Sequence, residues 1–300
     1  MLDGRALVVG MKGFACCCGS FVFFVFIFVL SSIQLRKKME RIEDKDFPFY
    51  RFKQLSGRPD IRHFVSSGRK DIGFAEAVDP AVIRRNRMEL AQVVGIEVER
   101  WVIAHQIHSA NVVVVGGEDA GRGALDRESR IPDADALVTD REGICLMVFS
   151  ADCVPVLLFD SVKKVIAAVH AGWRGTAAQI VVRTVEKMRE RYGSCPADIR
   201  AGIGPSIGKC CFEVEEGVAA VFRQLFPAAG SIVSAGKVSG KYQVDLWEAN
   251  RLELLTAGLK AENIEVAGLC TVCHPEQFFS YRRDGSKAGR FGAGIMLCFR

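Results

Sequence analysis

Two short apolar runs separated by a polar stretch stand near the middle of the chain. Val154–Phe159 and Lys164–Val169 have the length of strands and are rich in valine, isoleucine and leucine, which indicates two buried β-strands. The stretch between them, Asp160–Lys163, has the composition of a hairpin turn. The pattern therefore predicts an antiparallel pair of buried strands.

The register of this hairpin decides which side chains meet at its open end. If the turn centres between Ser161 and Val162, Cys153 lies opposite His170. Directly opposed residues in an antiparallel pair have Cβ atoms about 4.5–5.5 Å apart. A slip of one residue would direct the two side chains to opposite faces of the sheet. The pattern predicts a thiol and an imidazole that are close enough to share a metal ion or to form a nucleophile–base pair.

Apolar periodicity elsewhere predicts four helices and several further strands. The helices are expected at Asp79–Val94, Ala177–Tyr192, Glu215–Leu225 and Leu246–Ala257. Thr176 is expected to cap the second helix. The further strands are expected at Phe47–Phe52, His63–Ser66, Trp101–His105, Asn111–Val115, Gly143–Phe149, around Cys210-Cys211 and in a final run that ends at Phe299. Strands and helices mix without a strict βαβ rhythm, which favours mixed sheets over a Rossmann layout.

Residues 1–38 form an apolar N-terminal extension ahead of one domain at residues 39–300. No charged residue lies between Lys12 and Arg36, and Phe21–Leu30 is continuously apolar. This composition is typical of a membrane-spanning helix or a signal sequence. A translation start at Met39 is the third interpretation. An anchor at residues 13–35 would place the protein at a membrane; otherwise we expect a cytoplasmic protein.

Charge and cysteine content narrow the class of protein. The net charge is +5, but residues 1–38 contribute +4 of it. The nearly neutral remainder offers no basic surface for nucleic acid. The 11 cysteines include a run at 16–18 and an adjacent pair at 210–211, and their spacing is not that of a disulfide framework. Free thiols in a reducing compartment are therefore expected.

His108 lies at the end of a strand-like piece and could supply a third ligand beside Cys153 and His170. Three protein ligands with an open fourth position are the arrangement of a catalytic zinc site, and His2Cys is a known ligand set. Without a metal ion, the same thiol and imidazole could serve as a nucleophile and its base. The residues alone leave both interpretations open.

Two arginines and one glycine-rich turn are candidates for binding an anionic substrate. Arg174 follows the first glycine turn and Arg282 lies near the C-terminus. Guanidinium matches phosphate geometry, although either residue could simply be on the surface. Gly204, Pro205 and Ser206 form a turn that either only redirects the chain or lines a pocket with its amides.

Five stretches, taken together and in order, resemble the YfiH/laccase-domain family. They are QIHSANV, SADCVPVLLFD, HAGWRGT, GIGPSIGKCCFEV and CTVCHPEQFFSYRRDG. The similarity extends from about His63 to the C-terminus. It implies an α+β fold in a single compact domain, with mixed β-sheets sandwiched between helices.

The resemblance also implies a function. Family members are described as purine nucleoside enzymes that phosphorolyse adenosine, inosine, guanosine and methylthioadenosine and that deaminate adenosine. The implied cofactor is Zn²⁺ bound by His108, Cys153 and His170. The implied partners are purine nucleosides and phosphate. Gln106, in the same motif as His108, is an expected substrate contact, and Asp152 is expected to transfer a proton or to orient a ligand.

One segment departs from the family pattern. Members usually carry a Thr-Arg-x-Gly-Gly stretch after His-Gly-Phe, and its arginine is thought to bind substrate. Here His63–Arg69 is shortened and has no arginine at the matching place, although Arg69 could substitute from the next position. Phosphate binding is therefore the part of the expected function that this sequence leaves most open.

Two alternatives belong to other classes. The older family label is a polyphenol (laccase-type) oxidoreductase that uses copper. A multicopper oxidase needs a histidine-rich cluster besides a His2Cys centre, and the chain has 5 histidines, too few for both. The other alternative is a metal-free hydrolase that uses Cys153 as its nucleophile and His170 as its base.

Overall fold

Two six-stranded mixed sheets face each other at the centre of the protein. The computed structural model describes residues 39–74 and 78–299, and the extension expected at residues 1–38 lies outside them. The strands are β1 (Glu40–Ile42), β2 (Phe49–Arg51), β3 (Ile61–Ser66), β4 (Trp101–Ile103), β5 (Val112–Val114), β6 (Ala136–Thr139), β7 (Cys145–Ser150), β8 (Val154–Asp160), β9 (Val165–Ala171), β10 (Ile199–Ile203), β11 (Glu213–Glu215), β12 (Val233–Ala235), β13 (Lys241–Val244), β14 (Ile264–Val266) and β15 (Phe291–Leu297).

The first sheet has the order β1-β2-β3-β15-β7-β4, and the second has the order β14-β10-β8-β9-β6-β5. Each is antiparallel at its centre. Parallel pairs join β4 to β7, β10 to β14 and β5 to β6. A third, antiparallel sheet has the order β11-β13-β12. The mixed sheets expected from the irregular order of elements are thus confirmed.

Helices cover the outer faces of the two large sheets. The helices of the described residues are α1 (Pro80–Val94), α2 (Trp173–Ala177), α3 (Ile180–Tyr192), α4 (Glu216–Leu225), α5 (Leu246–Thr256) and α6 (Tyr281–Asp284), of which α6 lies at the wall of a cavity. Leu90 and Val94 of α1 belong to the core on the outer side of the first sheet, together with Met147. Val181 and Val185 of α3 belong to the core on the outer side of the second sheet. This is the predicted arrangement of sheets sandwiched between helices, in a single compact domain.

The central strands are buried on both faces, which explains their uninterrupted apolar runs. Along β8, Leu157 and Phe159 face the core between the two sheets. Val156 and Leu158 alternate with them and face the core beneath the helices. Side chains on a strand alternate between faces, so burial on both sides requires apolar residues at every position. The buried hairpin predicted from the sequence is confirmed.

The loop of this hairpin differs from the predicted turn. Asp160 pairs with Val165, so the loop is Ser161–Lys164 rather than Asp160–Lys163. The Asp160 carboxylate accepts hydrogen bonds from the amides of Val162 and Lys163, and Lys164 adopts a left-handed conformation with φ +56°. β8 is thus one residue longer than predicted, β9 begins one residue later, and the turn centre moves one residue along the chain.

The predicted opposition of Cys153 and His170 is therefore wrong in register. His170 pairs with Pro155, and Cys153 lies one residue before β8 begins. The displacement is two residues, and side chains two residues apart share a face. The two side chains consequently stay on the same side of the sheet.

Two further local predictions are wrong. Thr176 lies inside α2, where its hydroxyl accepts a hydrogen bond from Asn250, and Gln179 precedes α3 in a left-handed conformation. Cys210 and Cys211 lie in a turn rather than in a strand. The four predicted helices correspond to α1, α3, α4 and α5. Among residues 39–74 and 78–299, no helix combines the length and apolar character needed to cross a bilayer.

Glu253 is a carboxyl group in the middle of the α5 core face. Glu253 is 2% exposed, and neither of its carboxyl oxygens has a hydrogen-bond partner among the described residues. Burial raises the pKa of Glu253 to about 9. The unfolded chain ionises this group near its ordinary pKa, so burial of Glu253 does not reduce the free energy of unfolding at pH values below that pKa. Above it, the free energy of unfolding declines as the pH rises towards 9.

We therefore predict that Glu253→Gln stabilises the protein at alkaline pH. The free energy of unfolding at pH 8.5 should increase by roughly 1–3 kcal/mol, while the change at pH 5 should be small. Urea denaturation at the two pH values measures this difference. Glu186→Gln, at an exposed position on α3, is the control and should change neither value. A Glu253→Gln variant that is destabilised equally at both pH values would contradict the prediction.

Candidate metal centre and active-site pocket

Three side chains from separate segments converge beside the open end of the β8–β9 hairpin. His108 comes from the loop between β4 and β5, Cys153 from the residue before β8, and His170 from β9. One donor atom from each lies within 4.8 Å of the other two. The centroids of the two imidazole rings are 4.9 Å apart, with an interplanar angle of 76°. The structure thus brings together the three residues predicted as metal ligands.

A buried carboxylate holds the ring of His170 and the backbone of His108. Asp135, just before β6, is 1% exposed. Its Oδ1 accepts a hydrogen bond from His170 Nδ1 at 2.8 Å and from the amide of His108 at 3.0 Å. Its Oδ2 accepts from the amide and the hydroxyl of Ser109, each at 2.7 Å. Because Nδ1 of His170 is used in this way, Nε2 is the ring nitrogen that remains for the centre.

Asp135 also explains an unusual backbone conformation. His108 has φ +61°, in the left-handed region that residues other than glycine rarely adopt. Three consecutive amides, from Ile107 to Ser109, donate to the Asp135 carboxylate and hold the loop in this shape. Conformations of this kind persist where surrounding contacts determine them, and they are common at functional sites.

The electrostatics of the cluster favour a thiolate. Burial opposes ionisation of Cys153, but the charge of His170 and hydrogen bonds from His108 and His170 outweigh it and lower the pKa to about 6. Burial opposes a charged His170, but the Cys153 thiolate and Asp135 raise its pKa to about 9. For Asp135, burial opposes ionisation, and hydrogen bonds from His170 and Ser109 lower the pKa to about 2. Thiolate is the form of cysteine that binds metal ions.

Gly172 leaves the space in which the cluster is assembled. A Cβ at this position would lie 3.0 Å from Cys153 Sγ and 3.0 Å from His108 Cδ2. Real side chains seldom tolerate such contacts, so a larger residue would displace two of the three donors. The glycine of the HAGWRGT motif is needed for room, since its φ of −67° is accessible to any residue.

The residues fit a metal ion. Two imidazoles and a thiolate are a recognised set for catalytic zinc, which keeps its fourth position open. A carboxylate that accepts from the remaining nitrogen of a ligand histidine is the usual outer support of such a centre, and Asp135 has this place on His170. His170 is buried whereas His108 is exposed, so an ion bound here would be accessible from one side.

The cluster opens into a cavity of about 610 Å³, within the range of small-molecule sites. Its wall includes Phe74, Phe149, Phe212 and Tyr281, whose rings offer surfaces for a flat heterocycle. Pockets of this kind combine apolar walls with a few convergent polar groups. The cavity therefore has room beside the cluster for a ligand the size of a nucleoside.

Three of the other predicted site residues line this cavity. The Gln106 side chain is paired with both main-chain groups of Phe149, and it therefore ties the loop after β4 to β7. The carboxylate of Asp152 accepts from the Thr271 hydroxyl at 2.6 Å and from the Arg282 amide at 2.6 Å. Asp152 has φ +95°, which these two bonds help to hold. Arg282 lines the cavity while its Nη1 donates to the main chain of residues 211 and 213.

The remaining predicted contacts do not line the cavity. Arg174 is exposed on α2, with its guanidinium 4.5 Å from the ring centroid of Trp173. The neighbouring turn, Gly204, Pro205 and Ser206, is buried. Its amides donate to carbonyls of residues 155 and 269, and Pro205 has no amide hydrogen. This turn supports the loop before β8, because the next amide, from Ile207, donates to the carbonyl of Asp152.

Sequence reasoning missed three arginines in the cavity wall, namely Arg87, Arg130 and Arg290. Arg87 is fully buried, its guanidinium lies 4.1 Å from the centroid of Phe74 and 4.8 Å from that of Phe149, and its Nη2 has no partner among the described residues. Burial lowers its pKa to about 9. Helical periodicity could have revealed Arg87, because it interrupts the apolar stripe of α1. Arg69, the expected substitute, is exposed and lies outside the cavity wall.

Comparison with known proteins agrees with this fold. A family model described as "Multi-copper polyphenol oxidoreductase laccase" matches residues 65–298. A protein named purine nucleoside phosphorylase from Bacteroides thetaiotaomicron is 36% identical over 263 residues, 84% of this chain and 97% of that protein. A protein named adenosine deaminase RL5, from an unknown prokaryotic organism, is 38% identical over 209 residues, 70% of this chain and 79% of that protein.

A solved structure shows the same architecture. The crystal structure of the Bacillus licheniformis hypothetical protein YfiH aligns with a TM-score of 0.76 and 33% identity, over 79% of this chain and 92% of that chain. The chain therefore belongs to the multi-copper polyphenol oxidoreductase laccase family, the YfiH/laccase-domain family that its five motifs resemble.

Proposed function

We propose that the protein is a zinc-dependent purine nucleoside enzyme that phosphorolyses adenosine, inosine, guanosine and methylthioadenosine and also deaminates adenosine. The observation that carries this proposal is a His2Cys cluster that opens into a cavity edged by arginines and aromatic rings. Relatives named purine nucleoside phosphorylase and adenosine deaminase support it. The proposal requires the chain to be an enzyme and the cluster to hold its metal.

His108, Cys153 and His170 would hold the zinc ion. Bound there, zinc would supply Lewis-acid chemistry and make water a nucleophile near neutral pH. Asp135 keeps His170 in one orientation and one protonation pattern through the bond to Nδ1. The aromatic wall would stack the purine and exclude water from one face of it. Both reactions balance: adenosine and phosphate give adenine and ribose 1-phosphate, and adenosine and water give inosine and ammonia.

The arginines of the cavity wall are the proposed phosphate site. Arg87 Nη2 has no hydrogen-bond partner among the residues that the structure describes, while Nε and Nη1 donate to the carbonyls of Ile72 and of residues 123 and 124. Burying an unpaired guanidinium nitrogen is costly, so a bound anion would offset that cost. Arg130 and Arg290 line the same cavity. They replace Arg174 and the Gly204–Ser206 amides in our proposal, since these do not line it.

Zinc is favoured over copper by the positions of the other histidines. The buried His63 accepts the amide hydrogen of Phe52, His105 pairs with Asp133, and His274 lies beside Glu276. In the described part of the chain, none of these three joins the His108 cluster. A multicopper oxidase needs a second, histidine-rich copper site. The described histidines therefore contribute to one candidate metal centre and not to the second, histidine-rich site that the name of the family implies.

We expect the purified protein to act on adenosine both with and without phosphate. With phosphate, purified protein should convert adenosine to adenine and ribose 1-phosphate; without it, the product should be inosine. Cys153→Ser should lose the ion of the His108–Cys153–His170 centre and reduce both rates by roughly 100-fold or more, because a ligand of that centre is removed. Chromatography of the products and elemental analysis measure the two effects. Cys195→Ser, at an exposed cysteine, is the control.

Three results would contradict this proposal in distinct ways. No adenine, hypoxanthine or inosine at any phosphate concentration would exclude the nucleoside activity. Activity that survives exhaustive chelation but not thiol alkylation would favour the metal-free Cys153–His170 hydrolase. Stoichiometric copper with oxidation of phenols would favour the oxidoreductase.

Substitution of Asp135 tests whether this carboxylate, which is not itself a ligand, supports the metal centre. Asp135→Asn should lower zinc affinity by about 10–100-fold, because the anionic acceptor for His170 Nδ1 is lost. Competition with a chromophoric zinc chelator measures this affinity without relying on turnover. Asp133→Asn, at an exposed carboxylate of the same loop, should leave it unchanged. Equal affinities for the wild-type protein and Asp135→Asn would show that the carboxylate does not support the centre.

Matched substitutions of two arginines test the proposed phosphate site. Arg130→Gln should raise the KM for phosphate by roughly tenfold and change the KM for adenosine little, because a charged hydrogen bond to phosphate is lost. Arg174→Gln, which removes an exposed arginine outside the cavity wall, should leave both constants unchanged. Initial rates at varied phosphate measure the effect. The opposite ranking of the two variants would return the phosphate site to Arg174.

A further inference from the structure

A second candidate metal-binding cluster, made only of cysteines, lies outside the proposed catalytic centre. It consists of Cys210, Cys211, Cys270 and Cys273, with each sulfur within 4.8 Å of the other three. We propose that these four cysteines bind one structural zinc ion. Four protein ligands fill the tetrahedral coordination of zinc and leave no position for substrate, which is the mark of a structural site.

The separations of the sulfur atoms fit a shared ion. A tetrahedron with zinc–sulfur bonds of about 2.3 Å places its sulfurs roughly 3.8 Å apart. Cys273 Sγ lies 3.7 Å from Cys210 Sγ and 3.5 Å from Cys211 Sγ. A disulfide requires about 2.05 Å between two sulfurs and uses only one pair of them. Here one sulfur is nearly equidistant from two others, so the geometry indicates a common centre.

The local backbone is arranged as in a metal-binding loop. Cys270 and Cys273 have the C-x2-C spacing that is common in zinc sites. Cys210 and Cys211 lie in the turn after Gly208, whose amide donates to Cys270 Sγ at 3.3 Å. An amide donor stabilises a thiolate, which is the form that binds zinc. Both loops thus present their sulfurs to one point although they are about 60 residues apart along the chain.

The cluster also connects to the catalytic pocket. Thr271, between the two cysteines of the C-x2-C loop, donates its hydroxyl hydrogen to Asp152. Arg282 binds the same Asp152 carboxylate through its amide and the carbonyl of Cys211 through its guanidinium. Asp152 precedes Cys153 in the chain. A structural ion would therefore brace the loops that hold one candidate ligand of the catalytic centre, and it would act through position rather than by contact with substrate.

Metal content tests this inference. The purified wild-type protein, kept reduced and dialysed after zinc loading, should contain two zinc ions per chain. Cys153→Ser should contain one, and the double variant Cys210→Ser/Cys273→Ser should also contain one. Cys195→Ser, at an exposed cysteine outside both clusters, should contain two. A single ion in the wild-type protein together with none in Cys153→Ser would overturn the inference.

A spectroscopic measurement keeps the test decisive if the double variant does not fold. Cobalt bound to Cys153→Ser should show strong thiolate-to-metal charge-transfer absorption, because the catalytic centre of that variant contains no sulfur. The absence of this absorption, or a disulfide within the cluster of protein purified under reducing conditions, would overturn the proposal. Neither readout depends on nucleoside turnover, so this inference and the proposed function can fail separately.

Discussion

The hydrogen bond between the Asp135 carboxylate and His170 Nδ1, together with the amides that converge on the same carboxylate, is the interaction on which the site depends. Through Asp135, these contacts join His170 in β9 of the second sheet to the exposed loop that carries His108. Without it, the left-handed conformation of His108 would have no local support, and the His170 ring could turn. A carboxylate buried to this degree is itself stable only because it accepts several hydrogen bonds. The same hydrogen bonds therefore stabilise both the loop that carries His108 and the buried carboxylate of Asp135.

The position of the site follows from the way the sheets are buried. The β8–β9 hairpin is covered on both faces, so its strands accept only apolar side chains along most of their length. Polar side chains are confined to the two ends of the hairpin: Asp160 lies beside the loop, and Cys153 and His170 lie at the open end. The candidate chemistry is thus concentrated at the open end of two fully buried strands, and the exposed loop that carries His108 contributes the third ligand.

Much of this arrangement could be predicted from local patterns in the sequence. Apolar runs and helical periodicity located the hairpin and α1, α3, α4 and α5, since each depends on burial that repeats along the chain. The convergence of Cys153 with His170 was predicted through a register that is off by two residues. That error did no harm because it preserved the face, whereas the loop that causes it depends on hydrogen bonds of Asp160 that no periodicity reveals.

Other parts of the site depend on contacts between distant segments. Asp135 carries no local signal of its role, and Arg87 reaches the pocket only because α1 packs on the first sheet beside Phe149. The glycine-rich turn at residues 202–208 has the composition of a ligand-binding loop, yet its amides are satisfied by the protein itself. Composition therefore identified where the chain turns, but tertiary packing decided which turns face a ligand.

The unequal exposure of the three candidate ligands has a consequence for how an ion would leave. His170 is 3% exposed and fixed within a strand, whereas His108 is exposed on a loop. Water can reach His108, so solvent would compete for a bound ion at this ligand, while Cys153 and His170 would continue to hold it. The exit route would then pass through the pocket, so an occupied pocket would slow exchange of the ion with the surrounding solution.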